Sequence, residues 1–162
     1  MRDSDTIDFG IYLGAGHSAI AVVEDGDAVL VRNSDGCDFT PTAVWLARAG
    51  DVRVGRMARQ RVSSDPENTA AEFRSDMGRP GARRSFARAG LELTPTQLSA
   101  EVLASLRSDA AHHRGAPPEF AVITVPARCT PDQSRATTEA AALAGFNPAC
   151  PLVPEPVAAA LA

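Results

Sequence analysis

The sequence predicts an α/β fold in which a mixed sheet begins with an N-terminal β-meander and is flanked by helices. Three observations support this: consecutive β-rich runs near the N-terminus, two capped helices further along, and a continuous apolar run between those helices. The chain has 162 residues, which is enough to bury one hydrophobic core. We therefore expect a single domain.

The meander is predicted from runs that are rich in β-branched and other apolar residues. Strands are expected at 6–13, 18–25, 27–33, 42–48 and 51–55. Asp25-Gly26 is a strong signal for a two-residue hairpin, and Ala49-Gly50 marks a second turn. Consecutive hairpins of this kind predict that the chain begins with antiparallel strands.

The pattern changes after the second hairpin. Short helices are predicted within 55–64 and 66–77, bounded by glycine and proline. Residues 79–93 contain two glycines, a proline and four arginines without clear periodicity. We predict an Arg-rich loop there. Its arginines suit either an acidic partner or RNA, or simple solvation, and the net charge of −4 favours solvation.

Two further helices are predicted from one capping pattern, in which proline and then glutamine follow a threonine N-cap. The residues are Thr94, Pro95 and Gln97 in one helix and Thr130, Pro131 and Gln133 in the other. Gly115 and Gly145 are expected to end these helices. The apolar run 119–126 predicts a strand covered on both faces, and 150–154 predicts a short strand before a helix over 155–162.

The apolar positions of these two helices are spaced to face a core. In the first helix they are Leu98, Val102, Leu106 and Ala110, and in the second they are Ala136, Ala140 and Leu143.

Composition narrows the class of protein. Hydrophobic residues make up 44% and charged residues 22%, as in globular domains. No apolar run approaches the roughly 18 residues of a membrane span, so we predict a cytoplasmic protein without membrane or nucleic-acid partners. Cys37, Cys129 and Cys150 are far apart and form no CxxC pair. We therefore predict reduced thiols and no metal site.

The segment after the first predicted strand carries Gly14, Gly16 and Ala19 at the spacing of a dinucleotide-binding loop. That loop must lead into a helix, whereas residues 18–25 predict a strand. The dinucleotide interpretation is therefore rejected. A glycine turn between antiparallel strands can instead receive a phosphate, because glycines let backbone N–H groups approach an anion closely.

Six segments of the chain, in their order along the sequence, can be compared with those of known families. They are IYLGAGHSAIAVV, NSDGCDFTPTAVW, VGRMARQRVSSDPENTAAEFRSDMGR, QLSAEVLASLRSDAA, AVITVPARCTPDQSRATTEAAALAGF and LVPEPVAAALA. In this order they resemble the N-terminal ATPase segments of the DnaK-type heat shock protein 70 family of chaperones. The resemblance covers nearly the whole chain apart from its first few residues and the Arg-rich loop.

The resemblance implies the first lobe of an actin-like, ribonuclease H-like ATPase fold. Residues 1–162 would then be a single lobe, with the Arg-rich loop at 79–93 replacing part of a small outer subdomain. In the family a second lobe binds much of the adenosine, and a peptide-binding domain follows it. We expect both to be absent from this chain.

The resemblance also places nucleotide-binding residues at Tyr12, Gly14, Ala15, Gly16 and His17. The family's loop reads I-D-L-G-T-T, and its aspartate works through magnesium; this sequence reads I-Y-L-G-A-G. Tyrosine is no ligand for a hard cation that prefers carboxylate and water oxygens. Backbone N–H groups of the glycine turn can still receive a phosphate, and protonated His17 adds a donor.

Two further positions are implied as degenerate catalytic residues. Arg74 aligns with a phosphate-contacting lysine of the family, and Glu155 matches a glutamate near the metal. Each also has a purely structural interpretation: Arg74 as a solvated helix residue, and Glu155 as a carboxylate at a helix N-terminus. Pro126 matches a proline that relays the nucleotide state between domains, and Arg135 lies beside the position of the relay arginine, which here is Ser134.

Two functions stay open at this stage. The first is a truncated or partial chaperone ATPase lobe that takes ATP or ADP with magnesium, weakened, and hydrolyses ATP poorly or not at all. The second is a non-catalytic scaffold that pairs with another protein, or with a second copy of itself, through an exposed inter-lobe face.

Overall fold

Residues 7–160 are described in a computed structural model. The strands are β1 (Phe9–Leu13), β2 (His17–Glu24), β3 (Asp27–Leu30), β4 (Thr40–Pro41), β5 (Ala43–Arg48), β6 (Asp51–Val54), β7 (Thr69–Ala71), β8 (Arg84–Phe86), β9 (Leu91–Leu93), β10 (Val122–Val125) and β11 (Leu152–Pro154). The helices are α1 (Arg56–Arg61), α2 (Pro95–Arg114), α3 (Pro131–Leu143) and α4 (Glu155–Ala160). The strand predicted over 6–13 begins, and the helix predicted over 155–162 ends, at residues that lie outside the described range.

The largest sheet is mixed, as predicted, and has the order β11-β10-β1-β2-β3, with β4 also paired to β2. β1, β2 and β3 form the antiparallel meander. β10 runs parallel to both β1 and β11, with Tyr12 paired to Thr124 and Val125 paired to Pro154. The carboxyl ends of β1, β10 and β11 therefore lie at one edge of the sheet, where α/β sheets usually bind ligands.

The capping prediction for the two long helices is confirmed. The Thr94 hydroxyl accepts the N–H of Gln97 at 3.1 Å while the Gln97 side chain accepts the N–H of Thr94 at 2.9 Å. Thr130 and Gln133 make the same reciprocal pair at 3.2 and 3.0 Å. Gly115 then ends α2 with φ 81°, a left-handed conformation that glycine adopts without steric cost.

The core lies between the large sheet and these helices. Leu98, Val102 and Leu106 of α2 are fully buried, as their spacing predicts. Leu143 was expected in the apolar face of α3, but it is 59% exposed. The buried face is instead formed by Ala136, Thr137, Ala140, Ala141 and Ala144, and Leu143 lies about 90° around the helix from the centre of that face.

The helix predicted within 66–77 is wrong, because this segment contributes strand β7 to a second sheet of order β6-β5-β7. Two 3₁₀ turns, Pro66–Asn68 and Phe73–Asp76, flank the short strand β7. The first turn is closed by Asp65, whose carbonyl accepts the Thr69 hydroxyl at 2.7 Å. β7 then pairs with β5, and this pairing holds the segment extended instead of helical.

The segment 79–93 is also more ordered than a loop, because β8 and β9 form a two-stranded hairpin within it. Phe86 is 1% exposed and packs in the core. The Arg84 guanidinium donates to the carbonyls of Pro66 at 2.6 Å and Thr69 at 3.1 Å. The predicted loop is therefore wrong for 84–86 and 91–93, where distant partners stabilise strands that lack a periodic signal.

No helix within residues 7–160 is both long enough and apolar enough to cross a membrane.

Candidate functional site

The glycine turn, residues 14–16, joins β1 to β2 and is held by its own backbone. The Gly14 N–H donates to the carbonyl of His17 at 3.1 Å, and the Gly16 carbonyl accepts the N–H of Thr42 at 2.9 Å. The hydroxyls of Ser18 and Thr42 lie 2.8 Å apart in the interior behind the turn. Ala15, Gly16 and His17 are exposed. The turn thus has a fixed shape, and the Gly14 N–H is already used within it.

Glycine is required at position 14 because neighbouring atoms approach its Cα closely, and not because its φ is unusual. A Cβ on Gly14 would collide with the carbonyl oxygen of His17 and would lie 2.7 Å from both Cε1 and the hydroxyl oxygen of Tyr12. A Cβ on Gly16 would meet nothing within 4 Å. The Tyr12 ring therefore lies directly against Gly14 and leaves Ala15 and Gly16 exposed.

Tyr12 faces away from the core because side chains alternate along a strand. Its neighbours Ile11 and Leu13 are 1% and 0% exposed, whereas Tyr12 is 43% exposed. Thr124, its register partner on β10, has a buried hydroxyl without a hydrogen-bond partner among the described residues. The face of the sheet that carries Tyr12 therefore retains unused hydrogen-bonding capacity.

Arg74 comes from the 3₁₀ turn Phe73–Asp76 and reaches Glu155 at the start of α4. Its Nη2 lies 3.7 Å from Oε1 of Glu155. The Arg74 side chain is 12% exposed, and the Glu155 side chain is 37% exposed. Burial lowers the pKa of Arg74, and the nearby Glu155, Tyr12 and Cys129 side chains partly oppose that shift. Arg74 remains a cation at neutral pH and lies between the ends of β1 and β11.

The structure brings several predicted residues to this edge. Tyr12 is paired with Thr124, and Pro126 follows β10 directly beside the end of β11 and Glu155. Cys129 belongs to the same neighbourhood, and its N–H closes a turn onto the carbonyl of Pro126 at 3.0 Å. The sequence could have indicated that Cys129 lies near the site, because it stands three residues after Pro126 and just before a predicted helix.

His17 has a separate environment in front of the turn. A cavity of about 460 Å³ is lined by Tyr12, Gly16, His17 and Phe39. Phe39 is 51% exposed, so two aromatic side chains border this cavity. Sequence reasoning did not single out Phe39 as part of the site.

Arg135 lies elsewhere. Its Nη1 pairs with Oδ1 of Asp132 at 3.1 Å on α3, and it is largely exposed. It lines a cavity of about 380 Å³ together with Arg79 and Arg83. The two predicted relay residues, Pro126 and Arg135, therefore face different surroundings.

The donor set at the turn does not fit a magnesium ion. Mg²⁺ needs near-octahedral oxygen ligands, usually with one or two carboxylates. Tyr12 occupies the position of the aspartate in the resembling family, and Glu155 is paired with Arg74. Within residues 7–160 no group of three or more histidine, cysteine or acidic side chains is placed to hold a metal ion. An anion such as phosphate is better suited, since the Arg74 guanidinium lies near Tyr12.

A family model described as Hsp70 protein matches the chain in two overlapping pieces, residues 8–89 and 81–162.

Proposed function

Because the chain belongs to the Hsp70 protein family, we propose that it is a DnaK-like nucleotide-binding lobe in which ATP hydrolysis is impaired or absent. The family has a chaperone ATPase ancestry, binds nucleotide and works with co-chaperones and substrate proteins. We further propose that residues 1–162 form a single lobe with a shortened outer subdomain. In support, the two matched pieces overlap within the Arg-rich segment 79–93. The cytoplasmic location stays a prediction.

One observation carries the proposal: the Tyr12 ring packs on Gly14 at the position of the family's metal-linked aspartate. The ring cannot organise magnesium and its waters, because a neutral phenol is a poor ligand for a hard cation. It also lies against Gly14, the first residue of the turn that would receive the phosphate. The Gly14 N–H, bonded to His17, is not free to donate to an anion.

The charged pair beside the turn supports the same conclusion. Phosphoryl transfer depends on cations that are positioned against the transferred group. Arg74 is directed to Glu155 on its own chain, and its planar guanidinium differs from a lysine ammonium in size and reach. A residual, weakened nucleotide contact through Arg74, His17 and the N–H groups of Ala15 and Gly16 fits this arrangement.

We propose a relay role for Pro126 and not for Arg135. Pro126 lies beside Glu155 at the sheet edge, which supports a role in sensing this site. Arg135 is paired with Asp132, and this contact does not support a relay role.

The test is calorimetric titration of the chain with ATP, with and without magnesium. Tyr12→Asp restores the carboxylate, and Tyr12→Asn is its uncharged control of the same shape. We expect a dissociation constant above about 1 mM for the original chain and for Tyr12→Asn. In Tyr12→Asp we expect magnesium-dependent binding that is at least about tenfold tighter. Micromolar magnesium-dependent binding or sustained ATP turnover by the original chain would contradict the proposal.

A non-catalytic scaffold is the second candidate, favoured by the exposed aromatics at the turn. Tyr12 and Phe39 are 43% and 51% exposed and border one cavity. Exposed apolar groups that cluster in this way mark interaction sites. The partner would be another protein or a second copy. Sedimentation of the chain and of a Tyr12→Ser/Phe39→Ser variant tests the second copy: a dimer lost in the variant supports it, and a monomer in both contradicts it.

A further inference from the structure

A second region, separate from the glycine turn, has the character of a binding groove. A cavity of about 810 Å³ lies between β7, the 3₁₀ turn Phe73–Asp76, the segment 79–84 and the start of α2. The charged residues that line it are Arg59, Glu72, Asp76, Arg79, Arg83 and Arg84. Four cations against two carboxylates make the cavity locally positive in a chain whose net charge is −4.

The four arginines are not equivalent. Arg79 pairs with Asp76 at 2.8 Å, and Arg84 is used by two backbone carbonyls. Arg59 and Arg83 are exposed and make no ion pair with any residue in 7–160. These two guanidiniums are therefore the charges that an incoming ligand can use, and guanidinium binds carboxylate in a bidentate geometry.

The rest of the lining suits an extended chain better than a small anion. Pro66 and Pro80, which also line the cavity, are exposed, and Val62 is partly exposed, so apolar surface is available beside the charges. β7 also lines the cavity as an edge strand, but Thr69 and Ala70 are 3% and 4% exposed and the Thr69 carbonyl already accepts from Arg84. The surface open to a partner is therefore formed by side chains and not by the backbone of β7.

The wall of the cavity is held in place by the hairpin that follows it. The Arg88 N–H donates to Oδ1 of Asn68 at 2.7 Å, and the Arg88 guanidinium pairs with Asp65 at 2.9 Å. Arg84 adds its two bonds to the turn before β7 and to β7 itself. A wall that is ordered before binding lowers the entropic cost of association.

We propose that this groove docks an acidic, extended segment of a partner protein. Carboxylates of the segment pair with Arg59 and Arg83, and its apolar side chains cover Val62, Pro66 and Pro80. Glu72 and Asp76 on the rim disfavour the continuous phosphates of a nucleic acid. The docking does not depend on nucleotide binding at the glycine turn.

The test uses fluorescence anisotropy of a labelled peptide of alternating glutamate and leucine, with an alternating lysine and leucine peptide as the charge control. The variant Arg59→Glu/Arg83→Glu reverses the two unpaired charges. Its matched control is Arg32→Glu/Arg48→Glu, which makes the same charge change at side chains that are 77% and 80% exposed elsewhere. Unfolding midpoints establish that all forms are folded.

We expect salt-sensitive binding of the acidic peptide that weakens by at least about tenfold in Arg59→Glu/Arg83→Glu and by less than about twofold in the control. Three results would overturn the proposal: no binding by the original chain, equal binding of the basic peptide, or equal weakening in both variants. Displacement of the peptide by inorganic phosphate or by single-stranded DNA at similar concentrations would also overturn it, in favour of a general anion site.

Discussion

Two of the places where charged side chains gather differ in how those side chains are bonded. In the Asp65 cluster (Asp65, Trp45, Asn68 and Arg88), the carboxylate accepts from Asn68 at 2.7 Å and from Trp45 and Arg88 at 2.9 Å each. In the turn site (Tyr12, Gly14, Arg74 and Glu155), the one ion pair is 3.7 Å long. Asp65 uses both of its oxygens, whereas Arg74 has one long contact, with Glu155.

This is the difference expected between groups that stabilise the fold and the groups proposed to bind a ligand at the turn. Buried polar atoms in a structural cluster are normally satisfied, because an unmade hydrogen bond costs free energy. Loosely bonded charge is tolerated where function required it, now or in the family's past. The turn site combines a fixed backbone shape with loosely paired charges, and this combination predicts how each region responds to substitution.

The largest effect is expected from breaking the shape of the turn site. Gly14→Ala places a methyl group against the carbonyl of His17 and the Tyr12 ring, and we expect it to lower the free energy of unfolding by about 3 kcal/mol. Gly16→Ala meets open space and should be neutral or stabilising by about 0.5 kcal/mol. Urea denaturation of both variants measures the contrast. Equal effects would show that the turn is not sterically constrained.

The Asp65 cluster should be the next most sensitive. Asn68 is 4% exposed, donates to Asp65 and accepts the N–H of Arg88. Asn68→Ala leaves both partners with unmade bonds, so we expect a loss of about 2 kcal/mol in unfolding free energy. Hydrogen exchange at the Arg88 amide should accelerate in the variant. A fully protected Arg88 amide would contradict this account.

A smaller loss is expected when the cation of the turn site is removed. Arg74→Met keeps an apolar stem in the buried position and leaves Glu155 partly in water. Since the pair is long and one partner is over a third exposed, we expect a loss of about 0.5 kcal/mol. Thermal unfolding of this variant beside Asn68→Ala ranks the two regions directly. A loss larger than that of Asn68→Ala would reverse the comparison.

The smallest effect is a pH dependence of the Asp65 cluster. Hydrogen bonds from Asn68, then from Trp45, and the charge of Arg88 hold the pKa of Asp65 below its ordinary value. A lowered carboxyl pKa stabilises the fold above the pKa of the unfolded chain, and this stabilisation is lost as pH falls through the folded value. The difference in stability between the original chain and Asp65→Asn should therefore shrink below about pH 4. A constant difference down to pH 2 would contradict it.

Local signals in the sequence predicted the elements that depend on local bonds. The threonine and glutamine of each capping box are three residues apart, so α2 and α3 could be placed with their ends. β7 could not, because it has three residues and pairs with β5 more than 20 residues away. The β8–β9 hairpin could not either, because its three-residue strands are too short to show a period. Arg84 bonding to Pro66 and Thr69 has no local signature.

The site was predictable in part for the same reason. The resemblance placed Tyr12, Arg74 and Glu155 at the site, but their mutual geometry depends on β1 and β11 flanking β10. Nor does any sequence pattern show that the Tyr12 ring lies on Gly14 or that Arg59 and Arg83 share a cavity. Such contacts arise from tertiary packing, which overrides local preference.

The parallel pairing of β10 has a consequence for the order of folding. The β1–β2 hairpin and its glycine turn need only neighbouring residues, so they can form soon after they leave the ribosome. Gly10 pairs with Val122, and Ile123 pairs with Leu152, so the sheet edge is completed only after most of the chain has been synthesised. Long-range parallel contacts of this kind are slow to form. Tyr12 is therefore in place long before Arg74 and Glu155 meet beside it.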